Sequence, residues 1–295
     1  MDDLNRLLDR AHDLLARLER VLPAVPDETD WNASIAFRWR RRGGEGFAQP
    51  VGHPHRILLR DLLGIARQKK LVERNTRQFL AGLPANNVLL TGARGTGKSS
   101  LVKALLNRHA GKGLRLIEVE KHDLVDLPDI VEQVYRRPER FLLFCDDLSF
   151  EADDPGYKAL KVALDGSIAA GSENMLIYAT SNRRHLMPEY MEENLETRYA
   201  GEEVHPGEAV EEKISLSDRF GLWVHFYPFD QEAYLEIVRH WLLSLKAPAS
   251  DSEAVRREAL QWALARGSRS GRVAWQFARD WAGRQRMEPA AGRDR

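Results

Sequence analysis

The chain has 295 residues, enough to bury the core of one large domain with a small appendage. Hydrophobic residues make up 43% and charged residues 30%, an ordinary globular composition that excludes general disorder. Lys plus Arg and Asp plus Glu both total 44, so the net charge gives no reason to expect a nucleic acid or an acidic membrane as partner.

Three further features concern the cellular compartment. The chain starts with acidic residues where an export signal needs basic ones, and no segment approaches 18 consecutive apolar residues. The only cysteine, Cys145, lies in an apolar run, which excludes an intramolecular disulfide. We therefore expect a cytoplasmic protein that does not span a membrane.

The first predicted element is a helix over residues 3–22. Its apolar residues recur every three or four positions, which is a heptad seam. We favour packing of this stripe on the chain's own core; a dimer seam is the alternative, although about three turns are short for one. The seam residues are Leu4, Leu8, Ala11, Leu15, Leu18 and Leu22.

Residues 31–56 have no clean period, and we interpret them as a connector. They contain a basic cluster, Arg38 and Arg40–Arg42, around Trp39. This cluster is interpreted first as a solvated or partner-facing strip. The alternative is a grip on nucleic-acid phosphates, with Trp39 stacked on a base.

Short apolar strands then alternate with helical patterns, which is typical of a parallel sheet with crossover helices. After Pro228 the pattern predicts helices alone, in a small lid. We divide the chain into residues 1–56, an α/β domain over 57–228 and the lid over 229–295. The predicted strands are Val88–Thr91, Leu114–Val119, Phe141–Cys145, Met175–Thr180 and Leu222–Phe226.

The strongest motif follows the first of these strands. Residues 92–99 satisfy the P-loop pattern G-x-x-x-x-G-K-[ST] between a strand and a helix. Backbone N–H groups of such a loop cradle phosphates, Lys98 would reach the β- and γ-phosphates of ATP, and Ser99 would ligate Mg²⁺. The expected nucleotide-binding residues here are Gly92, Ala93, Arg94, Gly95, Thr96, Gly97, Lys98, Ser99 and Ser100.

Two carboxylates end the apolar strand at Cys145. Asp146 would hold Mg²⁺, and Asp147 would act as the general base for the attacking water. The alternative is a pair that merely caps a turn. The side chain of Asp147 is one methylene shorter than that of Glu, which leaves its reach toward the water in doubt.

Polar residues also end the strand at 175–180. Asn182 is our first choice, and Thr180 the second, for contact with the γ-phosphate, although Asn after a strand is often a turn residue. Two arginines complete the candidate site. Arg219 precedes the last strand and would stabilise transition-state charge on ATP of a neighbouring subunit, and Arg272 in the lid would reach the γ-phosphate.

This order of motifs resembles an AAA+ ATPase. The segment 61–69 is similar to the adenine-side segment of such proteins, so the resemblance spans about residues 57–282. Three stretches resemble a family of bacterial AAA+ proteins of unknown function: NNVLLTGARGTGKSSLVKALLN, FCDDLSFE and YATSNRRHL.

The resemblance implies a homo-oligomeric ring, usually a hexamer, that couples ATP hydrolysis to work on a partner. It implies Walker B roles for Asp146 and Asp147, sensor 1 for Asn182, a trans-acting finger for Arg219 and sensor 2 for Arg272. A protein partner is favoured. The alternatives are a nucleic-acid loader or initiator, and an ATP-gated switch that hydrolyses slowly.

One segment belongs to no motif. Between His185 and Lys213 the chain has nine Glu against Arg198 and Lys213 as the only strong bases. We interpret residues 187–213 as an acidic insertion, either solvated or sensing a partner near a subunit interface.

Overall fold

The computed structural model describes most of the chain. The described residues are 5, 7, 8, 10–12, 28–150, 154–165, 173–183, 186, 198–200, 203–205, 216–247 and 252–287. None of the helices in these ranges is long and apolar enough to cross a membrane.

The described elements alternate between strands and helices before ending in helices. The strands are β1 Ala36–Arg42, β2 Glu45–Pro50, β3 Val88–Gly92, β4 Leu114–Glu118, β5 Arg140–Cys145, β6 Met175–Ser181, β7 Arg198–Ala200, β8 Glu203–His205 and β9 Leu222–Phe226. The α-helices are α1 Ala66–Leu80, α2 Lys98–His109, α3 Leu127–Val134, α4 Pro155–Asp165, α5 Gln231–Ser244, α6 Glu253–Ala265 and α7 Gly271–Met287. Three 3₁₀ turns lie at Leu59–Asp61, Ala110–Lys112 and Lys121–Asp126.

The central sheet has seven strands in the order β2-β1-β4-β5-β6-β3-β9. All neighbours in it are parallel except β1 and β2. The α/β fold class and the five predicted strands are confirmed, with ends that differ by at most one residue. Five predicted strands become seven because β1 and β2 extend the sheet beyond β4.

Helices cover both faces of the sheet, so its strands are buried on both sides and read as continuous apolar runs. In β5, Phe141, Leu143 and Cys145 enter one hydrophobic cluster. The intervening Leu142 and Phe144 enter the cluster on the other face. This alternation is the two-residue period of a strand.

The interpretation of residues 31–56 as a connector is wrong at β1 and β2. They pair as an antiparallel hairpin, and β1 also pairs with β4. Trp39 of β1 is fully buried and its indole N–H donates to the buried carboxylate of Asp126 at 2.9 Å. The two buried aromatic residues of β1 hold this strand in the sheet. Because arginines lie between and after them, the two-residue apolar alternation is hard to recognise in the sequence.

The base-stacking part of the nucleic-acid interpretation of this cluster is also wrong. A buried Trp39 has no face on which a base could stack. Arg38 lies 3.1 Å from a carboxylate at the end of β4, Arg40 lies 3.1 Å from one just after that strand, and Arg41 lies 3.4 Å from Asp126. Three of the four arginines are therefore paired with carboxylates of their own chain.

The lid consists of α5, α6 and α7 around its own core. Its buried residues include those that the helical periodicity predicted, such as Tyr234, Ala259 and Phe277. Side-chain caps start the helices, because Asp230 accepts from the N–H of Ala233 at 2.8 Å and Ser252 from the N–H of Val255 at 3.3 Å.

Two predicted segments fall largely outside the described residues. Of the N-terminal helix, the described positions between 5 and 12 are helical. Leu8 there is 55% exposed, which is contrary to our expectation that the stripe packs on the core. Of the acidic insertion, the structure describes the antiparallel pair β7 and β8, and the rest lies outside.

Candidate active site

The P-loop joins β3 to α2, as the sequence predicts. Gly92 ends the strand with φ 124°, and a Cβ there would lie 2.0 Å from the carbonyl oxygen of Phe226 in β9. Gly97 has φ 103° directly before the first residue of α2. Only glycine accepts these two conformations without strain, so the loop can bring its N–H groups and the helix N-terminus together.

Lys98 lies at the centre of the loop with 6% of its surface exposed. Its Nζ donates to the carbonyl oxygens of Gly92 at 2.7 Å and Ala93 at 2.8 Å, and to Oδ1 of Asn182 at 2.9 Å. Burial lowers the pKa of Lys98, and the charges of Asp147 and Asp146 oppose that shift. The ammonium group is thus held at the mouth of the loop.

Ser99 and Asp146 meet at the carboxyl edge of the sheet. The Ser99 hydroxyl donates to Oδ1 of Asp146 at 2.5 Å. The hydroxyl of Thr180, 1% exposed at the end of β6, donates to the same oxygen at 2.6 Å. Thr180, our second choice for a contact with the γ-phosphate, therefore contacts Asp146 directly.

Asp147 has an unusual backbone conformation, with φ 53°. Its N–H donates to the Thr180 hydroxyl at 2.9 Å, and its carboxylate accepts a hydrogen bond from the Asn182 amide. Asp and Asn are the non-glycine residues best tolerated at positive φ. The positive φ thus gives a physical reason for Asp rather than a longer side chain at this position.

These contacts fit magnesium. Among the described residues, no group of three or more His, Cys, Asp or Glu is placed to hold a metal ion. Mg²⁺ does not need such a group, because it keeps several waters and binds through one or two carboxylates plus substrate phosphates. Ser99 and Asp146 supply one hydroxyl and one carboxylate beside the P-loop, which is a donor set of that kind.

The lid touches the P-loop through the start of α7, next to Arg272. The N–H of Gly271 donates to the carbonyl oxygen of Gly95 at 2.9 Å. The neighbouring Arg272 and the loop residue Arg94 are close enough for their charges to lower the pKa of Lys98, after burial as the main cause. The structure thus brings Arg272 to the P-loop.

A cavity of about 750 Å³ lies between the outer side of the P-loop and the lid. Arg94 and Thr96 line it from the loop, Phe229 from the segment between β9 and α5, and Leu260 and Arg269 from the lid. Phe229 packs against the hydrophobic clusters of both sheet and lid, so its ring joins the two parts.

Arg219 lies at the other end of the sheet. It precedes the amino end of β9, whereas the P-loop follows the carboxyl ends, because Phe226 of β9 pairs with Gly92 and Leu222 with Val88. The four residue steps of β9 span about 13 Å. Arg219 forms an ion pair with Asp165, the last residue of α4. It is therefore not brought together with the other candidate residues.

The fold and these motifs define the class. A parallel sheet with a P-loop, acids after β5, a polar end of β6 and a helical lid beyond β9 has the AAA+ architecture. The chain belongs to the family described as "Protein of unknown function (DUF815)", which it matches over residues 32–285. No curated protein matches its sequence.

Several solved structures are similar to this chain. The ORC1 protein of Aeropyrum pernix, in complex with DNA, is 14% identical with a TM-score of 0.56, and the match covers 77% of this chain and 62% of that one. A mutant of RuvB from Thermotoga maritima is 16% identical with a TM-score of 0.49, covering 75% and 64%. The chain thus spans less than two-thirds of the length of either. At such identity the likeness to ORC1 supports the fold alone.

A third similar structure is a complex of HORMA, CdnC and Trip13 from E. coli MS115-1. The match is 13% identical with a TM-score of 0.46, and it covers 75% of this chain and 90% of that one.

Proposed function

We propose that this protein is a magnesium-dependent ATPase of the cytoplasm that works as a homo-oligomeric ring, with six subunits by resemblance, and remodels or loads a protein partner. One observation carries the ATPase assignment. Lys98, Asn182, Asp147, Thr180, Asp146 and Ser99 form one continuous chain of hydrogen bonds at the mouth of the P-loop.

Each member of this chain has a chemical role. Ser99 and Asp146 would hold Mg²⁺, which would neutralise charge on the phosphates. Lys98 binds the β- and γ-phosphates. Asp147 takes the proton of the attacking water, and Asn182 orients the Asp147 carboxylate while contacting Lys98.

The oligomeric part of the proposal is supported by the position of Arg219. Its separation from the P-loop of its own chain by the length of β9 leaves a neighbouring subunit's ATP as the site it serves. We expect the hydrolysis rate per subunit to rise with protein concentration. A flat rate over a wide dilution range, in protein that remains active, would contradict trans action.

The test of the ATPase proposal uses two variants and a control. Lys98→Ala should lose ATP binding, whereas Asp147→Asn should bind ATP and lose hydrolysis. Lys70→Ala, at an exposed lysine of α1, should match the wild type. Hydrolysis that persists in Asp147→Asn would refute the assignment of the base. Partners retained by Asp147→Asn in the presence of ATP would identify the protein client.

A slow ATP-gated switch is the second candidate. It is favoured by the hydrogen bond that the Asn182 amide donates to the Asp147 carboxylate, because this bond competes with a water for the base. Turnover separates the two candidates, since a switch would bind ATP tightly and show few turnovers even at high protein concentration. The burial of Trp39 removes the base-stacking argument for the loader alternative, which was based on the basic cluster and the paired Asp residues. DNA or RNA that stimulated hydrolysis at low salt would restore it.

A further inference from the structure

We propose that His240 and Asp61 are positioning residues whose contact holds the lid against the α/β domain, so that Arg272 stays at the P-loop and ATP binds more tightly. This inference rests on the proposed function, with Arg272 at the γ-phosphate as the sequence predicts. His240 lies in α5 of the lid, and Asp61 ends the 3₁₀ turn that precedes α1. Nε2 of His240 lies 3.4 Å from Oδ1 of Asp61.

Asp61 belongs to a segment that is fixed to the α/β domain. Its other oxygen, Oδ2, accepts a backbone N–H from the start of the same turn at 3.1 Å. Nζ of Lys69 in α1 donates to the carbonyl oxygen of Leu59 at 3.1 Å. The side-chain amide of Asn107 in α2 donates to the carbonyl oxygen of Ile57 at 2.9 Å. The Asp61 carboxylate is therefore held in place relative to α1 and to the helix that follows the P-loop.

The residues after Asp61 lie between the P-loop and the lid. A Cβ at Gly97 of the P-loop would lie 3.5 Å from Cδ1 of Ile65. Leu63 packs against the hydrophobic cluster of the lid, and a Cβ at Gly64 would lie 2.8 Å from the ring of Phe229. A movement of the lid away from this segment is therefore also a movement away from the P-loop.

On the lid side, His240 is linked to the start of α7 by packed aromatic rings. The centroids of His240 and Trp241 are 5.0 Å apart, and those of Trp241 and Trp275 are 4.6 Å apart. Trp275 lies one helical turn after Gly271, whose N–H bonds to the P-loop, and Arg272 is the next residue. Holding His240 in place thus also holds the part of the lid that carries Arg272.

The surroundings of His240 make its contact with Asp61 stronger than an ordinary surface pair. Nε2 is buried and has no hydrogen-bond partner among the described residues, so the Asp61 carboxylate is the polar group that offsets its burial. The two side chains are 26% and 17% exposed, which limits screening by water. Nε2 is a donor in one neutral tautomer of histidine and in the charged form, and either attracts a carboxylate.

The first experiment separates KM from kcat in steady-state ATP hydrolysis. A lid that is closed for a smaller fraction of the time weakens the apparent ATP affinity by that fraction, whereas saturating ATP closes it again. His240→Phe should therefore raise the KM for ATP about threefold to tenfold and leave kcat within about twofold of the wild type. His240→Gln keeps a side-chain N–H donor and should restore part of the affinity.

The matched control is Glu232→Gln. It removes an exposed ion pair with Arg256 at 2.8 Å that joins two helices of the lid and does not reach the α/β domain. Both KM and kcat should stay unchanged in this variant, because the lid keeps its contacts with the P-loop.

The second experiment tests whether His240 acts through Asp61. Asp61→Ala should raise the KM for ATP, partly because the 3₁₀ turn also loses its side-chain acceptor. In the His240→Phe background the same change should raise KM about threefold to tenfold less than in the wild type, because the contact is already gone. Effects that multiply fully would overturn the pairing.

The third experiment measures the position of the lid without nucleotide. The N–H of Gly271 bonds to the carbonyl oxygen of Gly95 across the boundary between lid and P-loop, so its hydrogen exchange reports opening of that boundary. Exchange at Gly271 should be about threefold to tenfold faster in His240→Phe than in the wild type, and unchanged in Glu232→Gln.

The outcomes separate this inference from the proposed function. Wild-type protein that does not hydrolyse ATP would refute the proposed function, while exchange at Gly271 would still test the contact. If His240→Phe kept the wild-type KM and the wild-type exchange at Gly271, the positioning role would be overturned and the ATPase proposal would stand. A lower KM in His240→Phe would also overturn it, since the contact would then hold the lid away from ATP.

Discussion

Replacing Thr180 by Val tests the centre of the candidate active site with almost no change in shape. The hydroxyl donates to Oδ1 of Asp146 at 2.6 Å and accepts from the N–H of Asp147 at 2.9 Å, and Thr180 is 1% exposed. A hydrogen bond to a charged group contributes about 1.5–3 kcal/mol, whereas the N–H of the exposed Asp147 can bond to water once the hydroxyl is removed. We expect Thr180→Val to lower the free energy of unfolding by about 1.5–3 kcal/mol.

The same change should act on catalysis through Asp147. Its positive φ costs about 1–2 kcal/mol, which the Thr180 bond helps to offset. Without that bond the backbone can relax and move the carboxylate, so a loss of about 1.4–2.7 kcal/mol in transition-state stabilisation corresponds to a kcat about 10 to 100 times lower. Steady-state hydrolysis with MgATP measures kcat, and urea unfolding measures stability.

The control is Thr76→Val in α1. Thr76 is fully buried, and its hydroxyl donates to the carbonyl oxygen of Val72 and bonds the Tyr178 hydroxyl, each at 2.9 Å. This variant should lose stability without losing kcat. The reasoning is refuted if Thr180→Val keeps kcat within about twofold of the wild type, or if Thr76→Val loses as much.

Three further predictions concern single sites. Asp147→Glu should lower kcat of a working ATPase, because Glu fits a φ of 53° less well than Asp; higher turnover would support the slow switch. Burial lowers the pKa of Lys98, so this lysine should lose its charge, and the protein its ATP affinity, at a lower pH than a solvent-exposed lysine would. The Lys98→Arg variant should not show this decline, because arginine stays charged. Nucleotide titrations from pH 7 to about 10 measure the affinity. Trp39→Phe should reduce the free energy of unfolding by about 1–3 kcal/mol in urea, because Asp126 loses a buried donor, without changing kcat.

The strands of the sheet were largely predictable because they are buried on both faces. A strand such as β3 or β5 is a short apolar run bounded by polar or glycine residues, and nothing else in the chain gives that pattern as clearly. The hairpin of β1 and β2 was missed for the opposite reason. It lies at the edge, several of its residues face solvent, and arginines at those positions hide the two buried aromatic residues, Phe37 and Trp39.

The sequence predicted the candidate site only where the residues that act together are close together in the chain. The P-loop glycines and Lys98 act within eight consecutive residues, so their spacing is informative. Thr180 and Asn182 were both named, but which of the two meets which acid depends on the alignment of β6 with β5.

The sequence by itself determined the class of fold, the position of the P-loop motif and the order of the polar strand ends, because each depends on residues close in the chain. Only the tertiary structure decided which side chains meet. It joined Ser99, Asp146 and Thr180 at one edge, brought Gly271 of the lid to Gly95, and placed Arg219 at the opposite end of the sheet. The physical reason is strand register, which brings together residues distant in sequence at one end of the sheet and separates others.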